Sequence, residues 1–308
     1  MKQTLVIGST CADITIDVPS VPAAGDDVNI LQQRMNAGGC AYNVSDILRQ
    51  AGIPYMLCSP VGTGLYGQFV ESYLAEKGIP VFAHINTLDN GCCYCIVDSS
   101  GQRTFLSKHG AEYRFSKGWF QDINWDDVDS IYFCGLEVED ENGRELVSFI
   151  EETKELFDTG NRDLAIYFAP GPRAVHIDTS LLKRIFACKP IIHLNETEAA
   201  GITGVASIEE AARMIHGETC NSVIITRGEK GAFCFDHAVK KGFPLAGFKA
   251  NAVDTTGAGD AHCGIVIASI KQGYPLIESV LRANKFSSVL VTYPGSTMPE
   301  DMFKKALL

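Results

Sequence analysis

Fourteen residues hold the densest chemistry in this chain: Asp254-Thr-Thr-Gly-Ala-Gly-Asp260, followed by Ala261-His-Cys-Gly-Ile-Val-Ile267. Gly257, Ala258 and Gly259 make a turn of small residues, and Asp260 follows at once. From Ala261 to Ile270 nearly every residue is small or apolar, the pattern of a buried helix. A tight loop therefore enters a helix N-terminus with a carboxylate in the first turn. Unpaired N–H groups and the positive end of the helix dipole attract phosphate at such a place, and glycine lets backbone come close to a ligand. Asp260 is either a helix cap or a base held beside an anion site. A cap alone does not call for Asp254, Thr255 and Thr256 ahead of the glycines.

Other polar residues stand just beyond short apolar runs. Asp13, Glu137, Asn195 and Thr226 all do so. Taken alone, Asn195-Glu-Thr-Glu198 is an N-cap with acids in a first helical turn, and Thr226-Arg-Gly228-Glu-Lys-Gly231 is a hairpin turn. The glycine pair Gly38-Gly39 precedes a helix that carries Asn43, with Val44, Ile47 and Leu48 on one face. Gly62-Thr-Gly64-Leu-Tyr-Gly67 has the form G-x-G-x-x-G, a dinucleotide-binding fingerprint. Its context is poor. It follows the second core strand rather than the first, and the expected acid at the end of the next strand is replaced by His84.

The elements that must position these residues follow from periodicity. Leu5-Val-Ile-Gly-Ser is a buried strand. Residues 14–18 and 28–35 are more polar strand-like stretches separated by Pro19, Pro22 and Gly25, suited to a small sheet off the main core. Residues 91–98 and 103–107 form a hairpin through Ser99-Ser-Gly-Gln. From residue 125 onward strands and helices alternate, with strands at 131–134, 164–168, 191–194 and 223–226. That alternation predicts βαβ units and a parallel sheet covered on both faces. Ligands in such sheets sit at the carboxyl ends of the strands, where Asp13, Glu137, Asn195 and Thr226 fall.

Composition sets outer limits. The chain has 308 residues, 46% hydrophobic and 20% charged, as in a globular enzyme. A net charge of −11 argues against nonspecific binding to nucleic acid or membrane surfaces. No apolar run is long enough to span a bilayer. MKQTLVIGST runs straight into a strand pattern with no separate leader, so a cytoplasmic location is expected. The 11 cysteines are scattered through apolar runs and read as small apolar residues of a reduced protein, not as zinc ligands. No Walker P-loop and no G-x-S-x-G elbow occurs.

The string Asp254–Asp260 closely resembles the D-T-x-G-A-G-D signature of the ribokinase-like (PfkB) carbohydrate kinases. Gly38, Gly39 and Asn43 match that family's G-G-x-x-x-N, Asn195 and Glu198 its N-x-x-E, and Thr226, Gly228 and Gly231 its T-x-G-x-x-G, in the family's order. Gly64 departs from the family's G-x-D-x-x-G. The resemblance runs from Gly8 to Gly295. It implies one ribokinase-like α/β domain over residues 1–308: a doubly wound, mainly parallel sheet with helices on both faces and a small β-sheet lid. The lid strands would be inserted at about 13–35 and 91–107 and would also mediate a homodimer.

The resemblance further implies ATP-dependent transfer of the γ-phosphoryl group to a primary hydroxyl of a sugar. Asp260 would be the general base and the Gly257, Ala258 and Gly259 amides the anion hole. Gly38, Gly39, Asn43, Asp13 and Glu137 would contact the sugar. Asn195, Thr226, Gly228, Gly231 and Asn284 would lie on the nucleotide. Glu198 would hold Mg2+ through water. Asp254, Thr256 and the loop around Gly295 would form a monovalent cation (K+) site. The ribokinase pattern has Asn two residues before the sugar-binding Asp, where this chain has Cys11. One hydrogen-bonding group is lost, and ribose, fructose, a keto-deoxy sugar acid and a nucleoside all stay open as acceptors. The alternatives are a nucleoside kinase of the same family, a nicotinamide-dependent oxidoreductase using Gly62–Gly67, and a sugar sensor without catalysis.

Overall fold

A computed structural model describes residues 1–139 and 142–307 of the chain. In chain order the strands are β1 (Gln3–Ile7), β2 (Cys11–Asp17), β3 (Gln32–Gly38), β4 (Tyr55–Cys58), β5 (Pro60–Val61), β6 (Ala83–His84), β7 (Cys92–Val97), β8 (Arg103–Lys108), β9 (Val128–Cys134), β10 (Ala165–Ala169), β11 (Ile191–Asn195), β12 (Val223–Thr226), β13 (Ala232–Asp236) and β14 (Lys241–Leu245). The α-helices are α1 (Cys40–Gln50), α2 (Leu65–Glu76), α3 (Gly143–Thr159), α4 (Thr179–Ala187), α5 (Glu196–Thr203), α6 (Ile208–Thr219), α7 (Ala258–Lys271), α8 (Leu276–Leu290) and α9 (Glu300–Leu307). None of the described helices is long and apolar enough to cross a membrane.

The chain divides into two compact units. The first comprises Met1–Ile7, Asn43–Leu57 and Phe115–Leu308. Its core is an eight-stranded sheet in the order β14-β13-β12-β11-β10-β9-β1-β4. β1, β9, β10, β11 and β12 run parallel, and β13 and β14 add an antiparallel edge. Parallel neighbours need crossover connections, supplied by α3, α4 and the α5–α6 pair. Strands covered on both faces read as continuous apolar runs: Leu5 to Ile7, Ile131 to Cys134 and Val223 to Ile225 are all buried. The helix expected at Ala261–Ile270 forms as α7, with Ala261 to Ser269 buried. Its Gly264 lies under Ile47 of α1, where a Cβ would come within 2.8 Å of the isoleucine Cβ.

The second unit comprises Gly8–Tyr42 and Cys58–Arg114. Its four-stranded sheet runs β3-β2-β7-β8, with β2 and β7 parallel and the outer pairs antiparallel. The small sheet expected from the polar segments therefore forms, separate from the main sheet. Its second strand is displaced. Residues 18–31, with Pro19, Pro22 and Gly25, make no ladder, and pairing with β2 starts at Gln32 and continues to Gly38 opposite Cys11. One face packs Ala12, Ile14 and Cys92 against Tyr66, Phe69 and Tyr94. Alternation puts Cys11, Asp13, Cys93 and Cys95 on the other face. Cys92 and Cys95 are three apart, as in a C-x-x-C pair, but on a strand that spacing sends the two thiols to opposite faces.

Candidate active site

The loop 254–257 is shaped by Asp254. Its carboxylate accepts from the N–H of Thr256 at 2.8 Å and of Gly295 at 2.9 Å, tying the loop before α7 to the loop after α8. Gly257 has φ 70°, and a Cβ there would lie 2.5 Å from Ser296 Cβ. Only glycine fits that left-handed, crowded position. The Ala258 N–H donates to the Thr255 carbonyl at 3.2 Å, and the Ala261 N–H to the Gly257 carbonyl at 2.9 Å, which starts α7. A Cβ at Gly259 would meet nothing within 4 Å. Backbone is open to a ligand there.

Asp260 occupies the first turn of α7. Its Oδ2 accepts from Asn43 Nδ2 at 2.8 Å, a bond between residues 217 apart in the chain. Asn43 is 5% exposed, and its Oδ1 is buried with no hydrogen-bond partner among the described residues. The G-G-x-x-x-N and G-A-G-D motifs thus meet through one amide. A buried amide oxygen without a protein partner fits a hydroxyl donor from a ligand.

Beside this point lies a cavity of about 280 Å3. Thr226, Gly228 and Gly231 from the β12–β13 turn line it, with Ala258, Gly259 and His262 of α7 and Asn284, Ser287, Ser288 and Val291 at α8. The loop after β14 adds Phe248, Ala250 and Ala252. The turn is held close to that loop: a Cβ on Gly231 (φ 90°) would lie 2.2 Å from the Leu245 carbonyl oxygen. Sequence reasoning singled out Thr226, Gly228, Gly231, Asn284 and the α7 turn, and the structure brings them to one wall. It missed His262, Phe248 and the two serines. His262 carried a signal, a polar side chain inside an otherwise apolar helix two residues after Asp260.

Asn195 and Glu198 do not line the cavity. They form a capping box at α5: Asn195 Oδ1 accepts from the Glu198 N–H at 2.9 Å, and Glu198 Oε2 accepts from the Asn195 N–H at 3.0 Å. Asn195 Nδ2 also donates to Glu198 Oε1 at 2.8 Å. Burial pushes the Glu198 carboxyl up, against the pull of the Asn195 N–H. The hard oxygens of Glu198 suit Mg2+ held through water. Among the described residues no group of three or more His, Cys, Asp or Glu could hold a metal directly.

A buried polar chain runs beneath the cavity. His193 Nε2 and His262 Nδ1 are 2.8 Å apart, and His262 Nε2 lies 2.9 Å from Asn284 Oδ1. Asn284 Nδ2 donates to the Ala246 carbonyl at 3.0 Å and reaches the Leu245 carbonyl at 3.5 Å. Burial holds the His193 imidazole well below its ordinary value, with neighbouring His262 adding to the effect. His262 is pushed down to about 4 by burial, its bond to Asn284 opposing.

In the second unit, Gly38 and Asp13 fit as a pair: a Cβ on Gly38 would sit 1.9 Å from Asp13 Oδ2. Gly39 has φ 101°, and a Cβ there would be 2.5 Å from the Ser9 carbonyl oxygen. Cys11 Sγ donates to Asp13 Oδ1 at 3.6 Å, so the residue in the ribokinase Asn position spends its hydrogen bond on the neighbouring carboxylate. Glu137, in the first unit, is buried after β9. The helix that starts within Gly62–Gly67, α2, does not offer a free N-terminus. Asp89 caps it, accepting from the Gly67 N–H at 2.7 Å and the Tyr66 N–H at 3.4 Å. A pyrophosphate would have to displace that carboxylate, which removes the basis of the dinucleotide reading.

Comparison with known proteins agrees with this architecture. The sequence profile of the pfkB family carbohydrate kinases matches residues 1–302. An uncharacterized sugar kinase of Escherichia coli, YegV, is 30% identical over 298 residues, covering 96% of this chain and 90% of its own length. Ribokinase of Haemophilus influenzae is 26% identical over 305 residues, covering 96% and 94%. The structure of Arabidopsis thaliana ribokinase complexed with ribose and ATP superposes with a TM-score of 0.80 at 19% identity, over 99% of this chain and 98% of that one.

Proposed function

The chain belongs to the pfkB family of carbohydrate kinases, and on that premise we propose that it transfers the γ-phosphoryl group of ATP to a primary hydroxyl of a sugar. Asp260 takes the hydroxyl proton, and the N–H groups of residues 257–259 receive the charge of the transferring group. The observation that carries this reading is the 2.8 Å bond from Asn43 to Asp260 at the start of α7. It orients a carboxylate at a helix N-terminus, next to a glycine whose Cβ position is open. Phosphoryl transfer asks the protein for positioning and electrostatics more than for covalent chemistry, and this arrangement supplies both. Ala258 already donates within the loop, so Gly259 carries more of the anion hole. The cavity takes the nucleotide, with Thr226, Gly228, Gly231 and Asn284 on it and Asn195 toward the phosphates. ATP was bound by the Arabidopsis ribokinase of the same fold.

Asp13, Gly38, Gly39, Asn43 and Glu137 are proposed contacts to acceptor hydroxyls. Carboxylates and amides suit a neutral polyol better than a sugar phosphate. Mg2+ held through water by Glu198 would supply positive charge to the phosphates. A monovalent cation belongs at Asp254, Thr256 and the Gly295 loop. Two copies of the chain associate through the small sheet, whose edge strand β8 exposes Phe105 (53%) and Leu106 (57%). All 11 cysteines are free thiols, which suits a reducing compartment such as the cytoplasm. The test is a panel of sugars and nucleosides with MgATP, read by ADP release. Turnover of a pentose or hexose supports the reading. Turnover confined to nucleosides replaces the acceptor. Sugar binding with no ADP release from any acceptor means a sensor and overturns it.

A further inference from the structure

The two histidines that continue from Asn284, His262 and then His193, are given no role in the transfer just described, yet the proton positions along the three residues are fixed. Asn284 Nδ2 faces the carbonyls of residues 245 and 246, so its Oδ1 faces His262 and can only accept. His262 therefore carries its proton on Nε2, its Nδ1 accepts, and His193 Nε2 donates. His193 is 5% exposed and His262 3%. Apolar side chains would fill such sites without the cost of burying polar rings. The three residues instead join β11, α7, α8 and the end of β14. α7 and α8 also wall the cavity, as does the loop that follows β14, and α7 carries Asp260.

We infer that His262, backed by a hydrogen bond from His193 to its Nδ1, is a positioning residue that sets the Asn284 side chain, and through it the strand end at 245–246 that leads into the cavity wall at Gly247, for the base of the bound nucleotide. The inference rests on the nucleotide reading of the cavity. Its test needs no sugar. Full-length protein is titrated with MgADP by calorimetry, alongside thermal melting of each variant. His262→Phe keeps the ring volume and deletes the donor to Asn284. His262→Gln restores a donor. ADP should bind about tenfold more weakly to His262→Phe, since a buried acceptor is left unsatisfied, and His262→Gln should recover most of that loss. His193→Leu lies outside the cavity and removes the donor to His262 Nδ1, loosening the ring from behind, so it should weaken ADP severalfold. The double variant His193→Leu/His262→Phe should be no worse than His262→Phe alone.

Unchanged ADP affinity in a folded His262→Phe, or a His262→Gln as weak as His262→Phe, overturns the inference. If His262→Phe does not fold, His193→Leu decides: wild-type affinity there overturns it too. A wild-type protein that fails to bind ADP removes the nucleotide reading along with this one. Wild-type binding with indifferent variants removes only this one.

Discussion

Replacing Asp260 by Asn keeps the side-chain shape and its place beside Asn43 but removes the ability to take a proton. Folding and ADP binding should survive in Asp260→Asn, because the N–H groups of the turn are untouched. Turnover should fall about 10²–10⁴-fold, the usual contribution of a positioned general base. A variant that binds both ligands and turns over at the wild-type rate ends the assignment. At this scale the residue types were legible in the sequence and their partnerships were not. Asp260 stood out because a carboxylate followed a small-residue turn. Nothing local to Asn43 says that it meets a residue 217 positions away. His262 was hidden for the opposite reason: an apolar run swallowed it, and its polar partners, His193 and Asn284, sit on other elements.

At the level of single elements, α5 separates a structural from a chemical role. Glu198→Gln keeps an acceptor for the Asn195 N–H, so the capping box persists and the melting temperature should hold. The lost charge should raise the Mg2+ concentration needed for half-maximal rate and lower turnover, with sugar affinity nearly unchanged. Unaltered Mg2+ dependence would leave Glu198 a helix cap and nothing more. Close packing is testable on α7. Gly264→Val forces methyls into Ile47 and should cost roughly 1–3 kcal/mol in denaturant unfolding, as overpacked cores do. Element types were readable wherever the period was clean, as in α7 and the buried strands. The placement of β3 was not, because its residues are polar. What decides its start is pairing with β2, a non-local fact that Val28–Leu31 do not carry.

For the whole molecule the buried histidines set a pH dependence. An unfolded histidine titrates near 6.5, whereas His262 in the fold is pushed down to about 4 and His193 lies well below its ordinary value. Between those limits the unfolded chain binds more protons, so stability falls as pH drops from 6.5 toward 4. His262 alone accounts for roughly 3 kcal/mol across that window at about 1.4 kcal/mol per unit. Glu112 and Glu198, raised by burial, act with the opposite sign just above pH 4.5 and offset part of it. Urea unfolding at pH 7, 5.5 and 4.5 should show the midpoint falling. The fall should be smaller in the double variant His193→Leu/His262→Phe. A midpoint that does not move with pH would mean the rings are not buried as neutral bases.

The two glycines of the turn differ in what they forbid. A methyl at 257 collides with Ser296, but one at 259 projects into empty space. Gly257→Ala is thus a folding lesion. On the proposed role of the turn, Gly259→Ala should be a silent one: the protein is expected to fold, to take up its acceptor and to lack room for the travelling phosphate. In a duplicated gene, a one-carbon change would turn a catalyst into a receptor without passing through an unstable intermediate. In the laboratory the same change would make a trap. The unreactive protein could hold its natural acceptor long enough for mass spectrometry to identify it.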